Sequence, residues 1–290
     1  MFAGIRTVTH DEGRALLDGG ALALDVRTAG EYEQLGHIPD AWLLPVDLVA
    51  SAPAVLPDDG RPILVYCEHG VRSVAASRLL VEAGVSNVLN LAGGLAPWTG
   101  PREFGSGPLR GPSPWLIDNA DLLPRDGKKV LDVACGRGRH SLLLASAGFD
   151  VHAIDRNPDA IAFLRATAER LRLTIACDVL DLETDPPPAL SHDAYEAVVV
   201  FNYLHRPLMP ALCAALKPGG RLFYETFTAR QAERGHPKNP AFLLKDGELA
   251  ELVAPLIVLR SREGDIDGRF MASIVAARQT SRFAATVAGL

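Results

Sequence analysis

Short apolar runs of strand character recur along the chain and alternate with segments of helical period, punctuated by Gly- and Pro-rich turns. Thr9-His-Asp-Glu12 has the spacing of a capping box and predicts a helix to about Asp18, ended by Gly19-Gly20. Residues 21–26 read as a buried strand, 36–41 as a turn and 73–82 as a helix. Between them, 61–66 reads as a strand whose unbroken apolar run suits the centre of a parallel sheet. The alternation resumes with a strand at Val130 to Val133, two glycines and the helix-favouring run 141–145. Further strands are predicted at 151–154, 173–177, 195–201 and within 217–225, with a helix over 157–171 that Asn157-Pro158 caps and starts. Residues 257–259 and 270–276 suit a closing antiparallel pair with a turn region at 264–268, and the polar, Pro-bearing stretch 225–244 suits a loop over a cleft. Such alternation implies an α/β fold on parallel sheets.

Both periods vanish between Pro97 and Pro114, where Pro and Gly are dense. Residues 101–114 therefore read as a partly extended linker between a domain at 1–100 and another at 115–290. A chain of 290 residues accommodates two cores. The 4 cysteines (Cys67, Cys135, Cys177, Cys213) include no Cys-x-x-Cys pair, and no His pair has ligand spacing, which argues against a disulfide framework and against a metal. Net charge is −6, and residues 1–100 hold 6 Arg and no Lys against 12 acidic residues, so nucleic acid is an unfavoured partner. No apolar run reaches the ~18 residues of a membrane span and Met1 to Arg6 lacks a signal-peptide core, so the expectation is a cytoplasmic chain without a membrane partner. The oligomeric state is not legible.

Cys67 stands at the carboxyl end of the 61–66 strand, where open α/β sheets bind ligands, and Cys67-Glu-His-Gly-Val-Arg-Ser73 leads into a helix. A cysteine there looks into main-chain amides and a helix N-terminus, with Arg72 adding a charge, and each of these favours the nucleophilic thiolate. A buried core cysteine is the plainer alternative, but it leaves Gly70, Arg72 and Ser73 unexplained. The first hundred residues resemble the rhodanese family of sulfurtransferases: Asp25-Val-Arg27 with Glu31, the turn 36–41, the Cys67 loop and Leu91-Ala-Gly-Gly-Leu-Ala-Pro-Trp98 carry the likeness. The resemblance implies a persulfide on Cys67, cradled by Glu68, His69, Gly70, Val71, Arg72 and Ser73, and a sulfane-sulfur donor as partner. Protein phosphatases space their Cys and Arg one residue further apart, and the smaller ring here suits sulfur. Glu68 is expected to repel anionic donors such as thiosulfate and to raise the thiol pKa. His69 either supports the thiolate as a cation or stands exposed.

In Val130-Leu-Asp-Val-Ala-Cys-Gly-Arg-Gly-Arg-His140 a strand meets a turn with Gly136 and Gly138 and then a helix N-terminus, a geometry that exposes main-chain amides to a ligand. Asp155 ends the next strand, where doubly wound folds place an acid that accepts the ribose hydroxyls of an adenosine cofactor. The stretch resembles the cofactor loop of class I S-adenosylmethionine-dependent methyltransferases, with Asp132, Ala134 in place of the first glycine, Cys135, Gly136 and Gly138. A dinucleotide fingerprint fits less well, because the acid at 132 precedes the turn and no further glycine follows at the helix-packing position. The resemblance implies S-adenosyl-L-methionine as cofactor, Asp155 and Arg156 beside its ribose, and Phe201 at its edge. It gives Asp178, with Val179, the adenine amino group; a turn cap is the alternative for Asp178. Asn202, Tyr203, His205 and Arg206 then face a small-molecule methyl acceptor, with His205 either a general base or a satisfied surface histidine. Together with the 225–244 loop, Gly136 to Ser141 is similar to the tellurite-resistance type of methyltransferase. Arg137, Arg139, Arg206 and Arg230 would form a cation-rich mouth if they converge.

The two resemblances imply two doubly wound α/β domains, a small rhodanese-like parallel sheet followed by a Rossmann-like class I methyltransferase sheet. The expected function is a sulfurtransferase joined to a methyltransferase with a thiol or chalcogen acceptor. Alternatives are a first domain that senses or docks a persulfide without turnover, and an oxygen or nitrogen acceptor.

Overall fold

The capping box forms as its spacing predicts: the Thr9 side chain accepts from the Glu12 N–H while Glu12 accepts from the Thr9 N–H at 2.8 Å, and α1 (His10–Asp18) ends at Gly19. The computed structural model describes residues 5–107, 109, 111–125 and 128–280. They divide into two units, one of the residues up to Asp121 with Leu142–Gly148, the other of Leu122–Ser141 with the residues from Phe149 on.

The first unit is built on β1 (Arg6–Val8), β2 (Leu22–Asp25), β3 (Trp42–Leu43), β4 (Ile63–Tyr66) and β5 (Val88–Leu91), in the order β1-β5-β4-β2-β3 with every pairing parallel. β4 is central and buried along its length, which is why its sequence is apolar without alternation. A second capping box, Thr28 with Glu31, starts α2 (Ala29–Gln34), and α3 (Val71–Glu82) follows Gly70, whose φ of 83° only glycine adopts freely. The core gathers Val8, Tyr32, Leu64, Tyr66, Leu91 and Trp98. The 101–114 stretch runs along this unit: His37 and Glu103 exchange both main-chain hydrogen bonds at 2.8 Å, and Leu43 N–H donates to the carbonyl of buried Leu109 at 3.0 Å. These attachments are main-chain hydrogen bonds, a signal that Pro and Gly content hides. Ser113 then caps α4 (Pro114–Asp118).

The second unit comprises β6 (Lys129–Val133), the start of α5 (Arg139–Ser146) up to Ser141, β7 (Asp150–Asp155), α6 (Pro158–Arg170), β8 (Ile175–Val179), β9 (Tyr195–Phe201), α7 (Met209–Ala215), β10 (Leu216–Phe227), α8 (Glu248–Leu252), β11 (Ile257–Ile266) and β12 (Arg269–Ala277). The strand order is β11-β12-β10-β9-β6-β7-β8. β12 runs antiparallel to both β10 and β11, and the other pairings are parallel. The order runs outward one way from β6 through β8 and the other way from β9, so the crevice beyond the carboxyl ends of β6 and β9 is a topological switch point. The closing hairpin is tighter than predicted: both strands extend to a two-residue turn at Asp267-Gly268, with φ of 49° and 78°, the conformation an Asp-Gly pair favours. Among the described residues no helix is long and apolar enough to cross a membrane, and no group of three or more His, Cys, Asp or Glu is placed to hold a metal ion.

Candidate functional sites

Cys67 follows β4 directly and is 1% exposed. Its Sγ accepts from the N–H of Gly70 at 3.1 Å and of Ser73 at 3.4 Å, and lies 3.5 Å from Ser73 Oγ, which donates to the Gly70 carbonyl at 3.2 Å. Burial pushes the thiol pKa up, but the Ser73 hydroxyl and the amides of Ser73, His69 and Gly70 together outweigh it, and the net direction is down. The Gly-Gly of the Leu91 to Trp98 motif seats this loop: a β-carbon on Gly94 would lie 2.3 Å from the Cys67 carbonyl oxygen, and Leu95 N–H donates to that oxygen at 2.7 Å. His69 is exposed and acts through its main chain, and Val71 is exposed while Ser73 is buried.

Two charges of the loop are spent elsewhere. Glu68 is not among the largest influences on the Cys67 thiol, and its carboxylate receives Arg27 Nη1 at 2.6 Å. Arg27 is itself fully buried, with Asp25 Oδ2 at 2.7 Å and the Gly36 carbonyl at 2.6 Å from its Nη2. Arg72 is paired with Glu31 through both guanidinium ends, with Nη1 at 2.8 Å from Oε2, and Arg72 first among the causes holds the Glu31 carboxyl at about 2. Amides and a hydroxyl, rather than the Arg72 charge, make the thiolate favourable.

In the second unit the glycine turn leaves β6 with Ala134 at φ 53°, Gly136 at 56° and Gly138 at 79°. Ala134 thus holds a left-handed conformation that favours glycine, at a strain of about 1–2 kcal/mol. Gly138, the second glycine of the turn, packs against a helix, since a β-carbon on it would lie 2.3 Å from Leu164 Cδ1 of α6. Gly136 is the open position, where a β-carbon would meet nothing within 4 Å. Its N–H donates to Asp155 Oδ2 at 2.7 Å, and Asn157 N–H donates to Oδ1 at 2.8 Å. Each oxygen keeps a further lone pair, so Asp155 can still accept two hydroxyls. An open glycine turn beside an acid with spare acceptor capacity fits the adenosine end of the implied cofactor.

Asp132 lies beneath the loop rather than at its surface. It is 1% exposed and receives Ser141 Oγ at 2.5 Å, and burial lifts its carboxyl to about 7. Cys135 is buried, with its thiol pKa pushed up. Arg156 pairs with Glu183 at 2.9 Å. Asp155 is in register with Val179, whereas Asp178 opposes Ile154 and receives His152 Nε2 at 2.8 Å. Phe201 is buried against the His140 ring, 4.2 Å between centroids.

Beyond β9, Asn202 is exposed at φ 57°. Among the described residues Tyr203 Oη and His205 Nε2 are buried and have no hydrogen-bond partner. Burial pushes the Tyr203 hydroxyl pKa up, with Glu183, Arg156, Asp181 and Asp155 the charges that act on it. Of the four arginines that would form a cation-rich mouth, Arg137, Arg206 and Arg230 are held in other contacts. Arg206 is bound to both oxygens of Glu248 and to the Ala241 and Leu243 carbonyls, which makes it a brace for the 225–244 loop. Arg230 lies over the Phe270 ring at 4.1 Å and Arg137 over Phe163 at 4.7 Å.

A five-stranded parallel sheet with a thiol in an amide ring, and a seven-stranded sheet with a glycine turn and acid at its switch point, together define a rhodanese-type unit and a class I S-adenosylmethionine-dependent methyltransferase. Residues 9–100 match the family model for the rhodanese-like domain, and residues 118–252 that for tellurite resistance protein TehB. A sulfurtransferase of Allochromatium vinosum is 42% identical over 77 residues, 27% of this chain and 70% of that protein. The probable S-adenosyl-L-methionine-dependent methyltransferase TehB of Haemophilus influenzae is 37% identical over 89 residues, 31% of each protein. The crystal structure of Haemophilus influenzae TehB superposes with a TM-score of 0.47 at 24% identity, over 57% of this chain and 61% of that one. The chain belongs to the rhodanese-like family through its first unit, and its second is similar to S-adenosyl-L-methionine-dependent methyltransferases of the TehB type, of which it spans about a third of the length.

Proposed function

We propose that this is a cytoplasmic enzyme joining sulfur transfer to methylation of a small, soft acceptor, a thiol or another chalcogen species. The observation that carries the sulfur half is Cys67 Sγ, buried and receiving the amides of Gly70 and Ser73. The Cys67 thiolate attacks the outer sulfur of a donor persulfide. The donor's S–S bond breaks, its thiolate leaves, and Cys67 carries the sulfur as a persulfide. An acceptor thiolate then takes that outer sulfur and Cys67 returns as thiolate. Glu68 and Asp25 share the single charge of Arg27, so a net negative charge stays beside the loop and disfavours an anionic donor such as thiosulfate.

When bound, S-adenosylmethionine supplies a methyl group on a sulfonium centre that a nucleophile displaces in line. Asp155 would hold its ribose, Gly136 would let the main chain approach it, and Asp178 with Val179 would meet the adenine. Tyr203 Oη and His205 Nε2, both without a partner among the described residues, orient the acceptor, and Nε2 can take its proton. A soft acceptor needs less of that help, since a selenide is already anionic near neutral pH and a thiol, with a pKa of about 8.5, gives up its proton readily, so orientation and exclusion of water carry the rate.

The test is release of S-adenosylhomocysteine from thiols, sulfide, selenite and tellurite, with and without a persulfide donor, for wild type and Cys67→Ala. Donor-stimulated release that disappears in Cys67→Ala supports coupling. Equal release from both proteins would leave an independent methyltransferase.

A further inference from the structure

We infer that His152, held by Tyr195, is a positioning residue for adenine recognition: it fixes Asp178 Oδ2 and leaves Oδ1 to accept from the exocyclic amino group of the cofactor's adenine. This rests on the reading of Asp178 as the adenine acceptor. The side chains come from β7 and β8, which are neighbours in the sheet, and from β9, which lies beyond β6. Tyr195 Oη and His152 Nδ1 are 2.7 Å apart, and His152 Nε2 and Asp178 Oδ2 are 2.8 Å apart.

The chemistry admits one arrangement of protons for a neutral ring. An Nε2 without hydrogen would turn a lone pair toward the carboxylate. The proton therefore sits on Nε2 and donates to Asp178, which leaves Nδ1 to accept from the Tyr195 hydroxyl. Tyr195 is 4% exposed, so its ring is fixed by packing, and its hydroxyl fixes the imidazole in turn. The Asp178 side chain is 67% exposed. A carboxylate that open samples several rotamers unless something holds it, and discrimination by a single hydrogen bond requires an acceptor that is already aimed. Asp155, in register with Val179 at the neighbouring strand end, is tied by the amides of Gly136 and Asn157. The chain thus fixes the acid at the ribose position through main chain and the acid at the adenine position through His152.

The test uses the full chain and calorimetric dissociation constants for S-adenosylhomocysteine and its inosine analogue, in which a carbonyl replaces the amino group. Wild type is expected to prefer the adenine form by about 10-fold or more, the worth of one hydrogen bond to a charged acceptor. Asp178→Ala should bring that ratio to near 1. His152→Ala should lower it at least about threefold, and His152→Gln, which retains an N–H donor, should recover part of it. A general loosening of the fold would weaken both ligands and leave the ratio in place. A wild-type ratio in His152→Ala, with the ratio lost in Asp178→Ala, would overturn the positioning role alone. A wild-type ratio in Asp178→Ala would overturn the adenine reading itself and the inference with it. Should His152→Ala fail to fold, Tyr195→Phe carries the test: a lowered ratio supports the relay and an unchanged one overturns it.

Discussion

Gly138 packs so closely under Leu164 that a β-carbon on it would stand 2.3 Å from Cδ1, whereas one on Gly136, two residues earlier, would meet nothing within 4 Å. The two glycines of one turn therefore have different work, close packing against α6 for Gly138 and approach of a ligand for Gly136. Gly138→Ala is expected to destabilise the second unit by about 2–4 kcal/mol, from overpacking added to left-handed strain. Gly136→Ala bears the strain alone, about 1–2 kcal/mol. It should nevertheless weaken S-adenosylhomocysteine binding by about 10-fold or more, because the methyl would occupy the space the ligand needs. Thermal unfolding beside calorimetric titration separates the two. Equal binding losses at equal stability would contradict this division.

Ala134, at φ 53°, should accept glycine with a gain. Relief of left-handed strain exceeds the extra chain entropy of glycine by about 0.5–1 kcal/mol, so Ala134→Gly should raise the melting temperature by ~1–4 °C. An unchanged or lower melting temperature would mean that the alanine methyl is favourably packed.

Cys67 should be the thiol that alkylates first. Its pKa is lowered, while burial raises those of Cys135, Cys177 and Cys213. Ser73→Ala removes the hydroxyl that favours the thiolate and should slow iodoacetamide labelling of Cys67 at pH 7 by about 10-fold, the worth of one hydrogen bond to a charged group. Arg72→Ala should slow it less, since that guanidinium is committed to Glu31. Peptide mapping by mass spectrometry reads the rates, and the reverse ranking would restore Arg72 as the main source of thiolate stability.

Asp132 gives the second unit a pH dependence of known sign. Its folded carboxyl pKa is raised by burial to about 7 from an ordinary 3.8, so between those values the folded chain keeps a proton that the unfolded chain has lost. Its contribution to stability is fully present below about pH 4, declines as pH rises toward 7, and is gone above it. Asp132→Asn, which can still accept from Ser141, should remove that decline and leave the variant more stable than wild type at pH 8. Melting temperatures of both proteins from pH 4.5 to 8 check this. A parallel pH dependence would show that another group is responsible.

What the sequence determined by itself was local or periodic. The Thr9–Glu12 and Thr28–Glu31 capping boxes close over three residues, β4 is apolar because both its faces are covered, and Asp267-Gly268 makes its turn from its own backbone preferences. The two ligand positions, Cys67 and the Gly136 turn, were legible for a related reason: a strand, a glycine and a helix start follow one another along the chain. The destinations of the charges were decided by the tertiary structure alone. Glu68 finds Arg27 and Arg72 finds Glu31 across 41 residues each, Arg206 finds Glu248 across 42, and His152 finds Tyr195 across 43. A charged side chain has no sequence period that names its partner. Strand order and packing choose the partner, and a charge that is paired acts less on the ligand beside it.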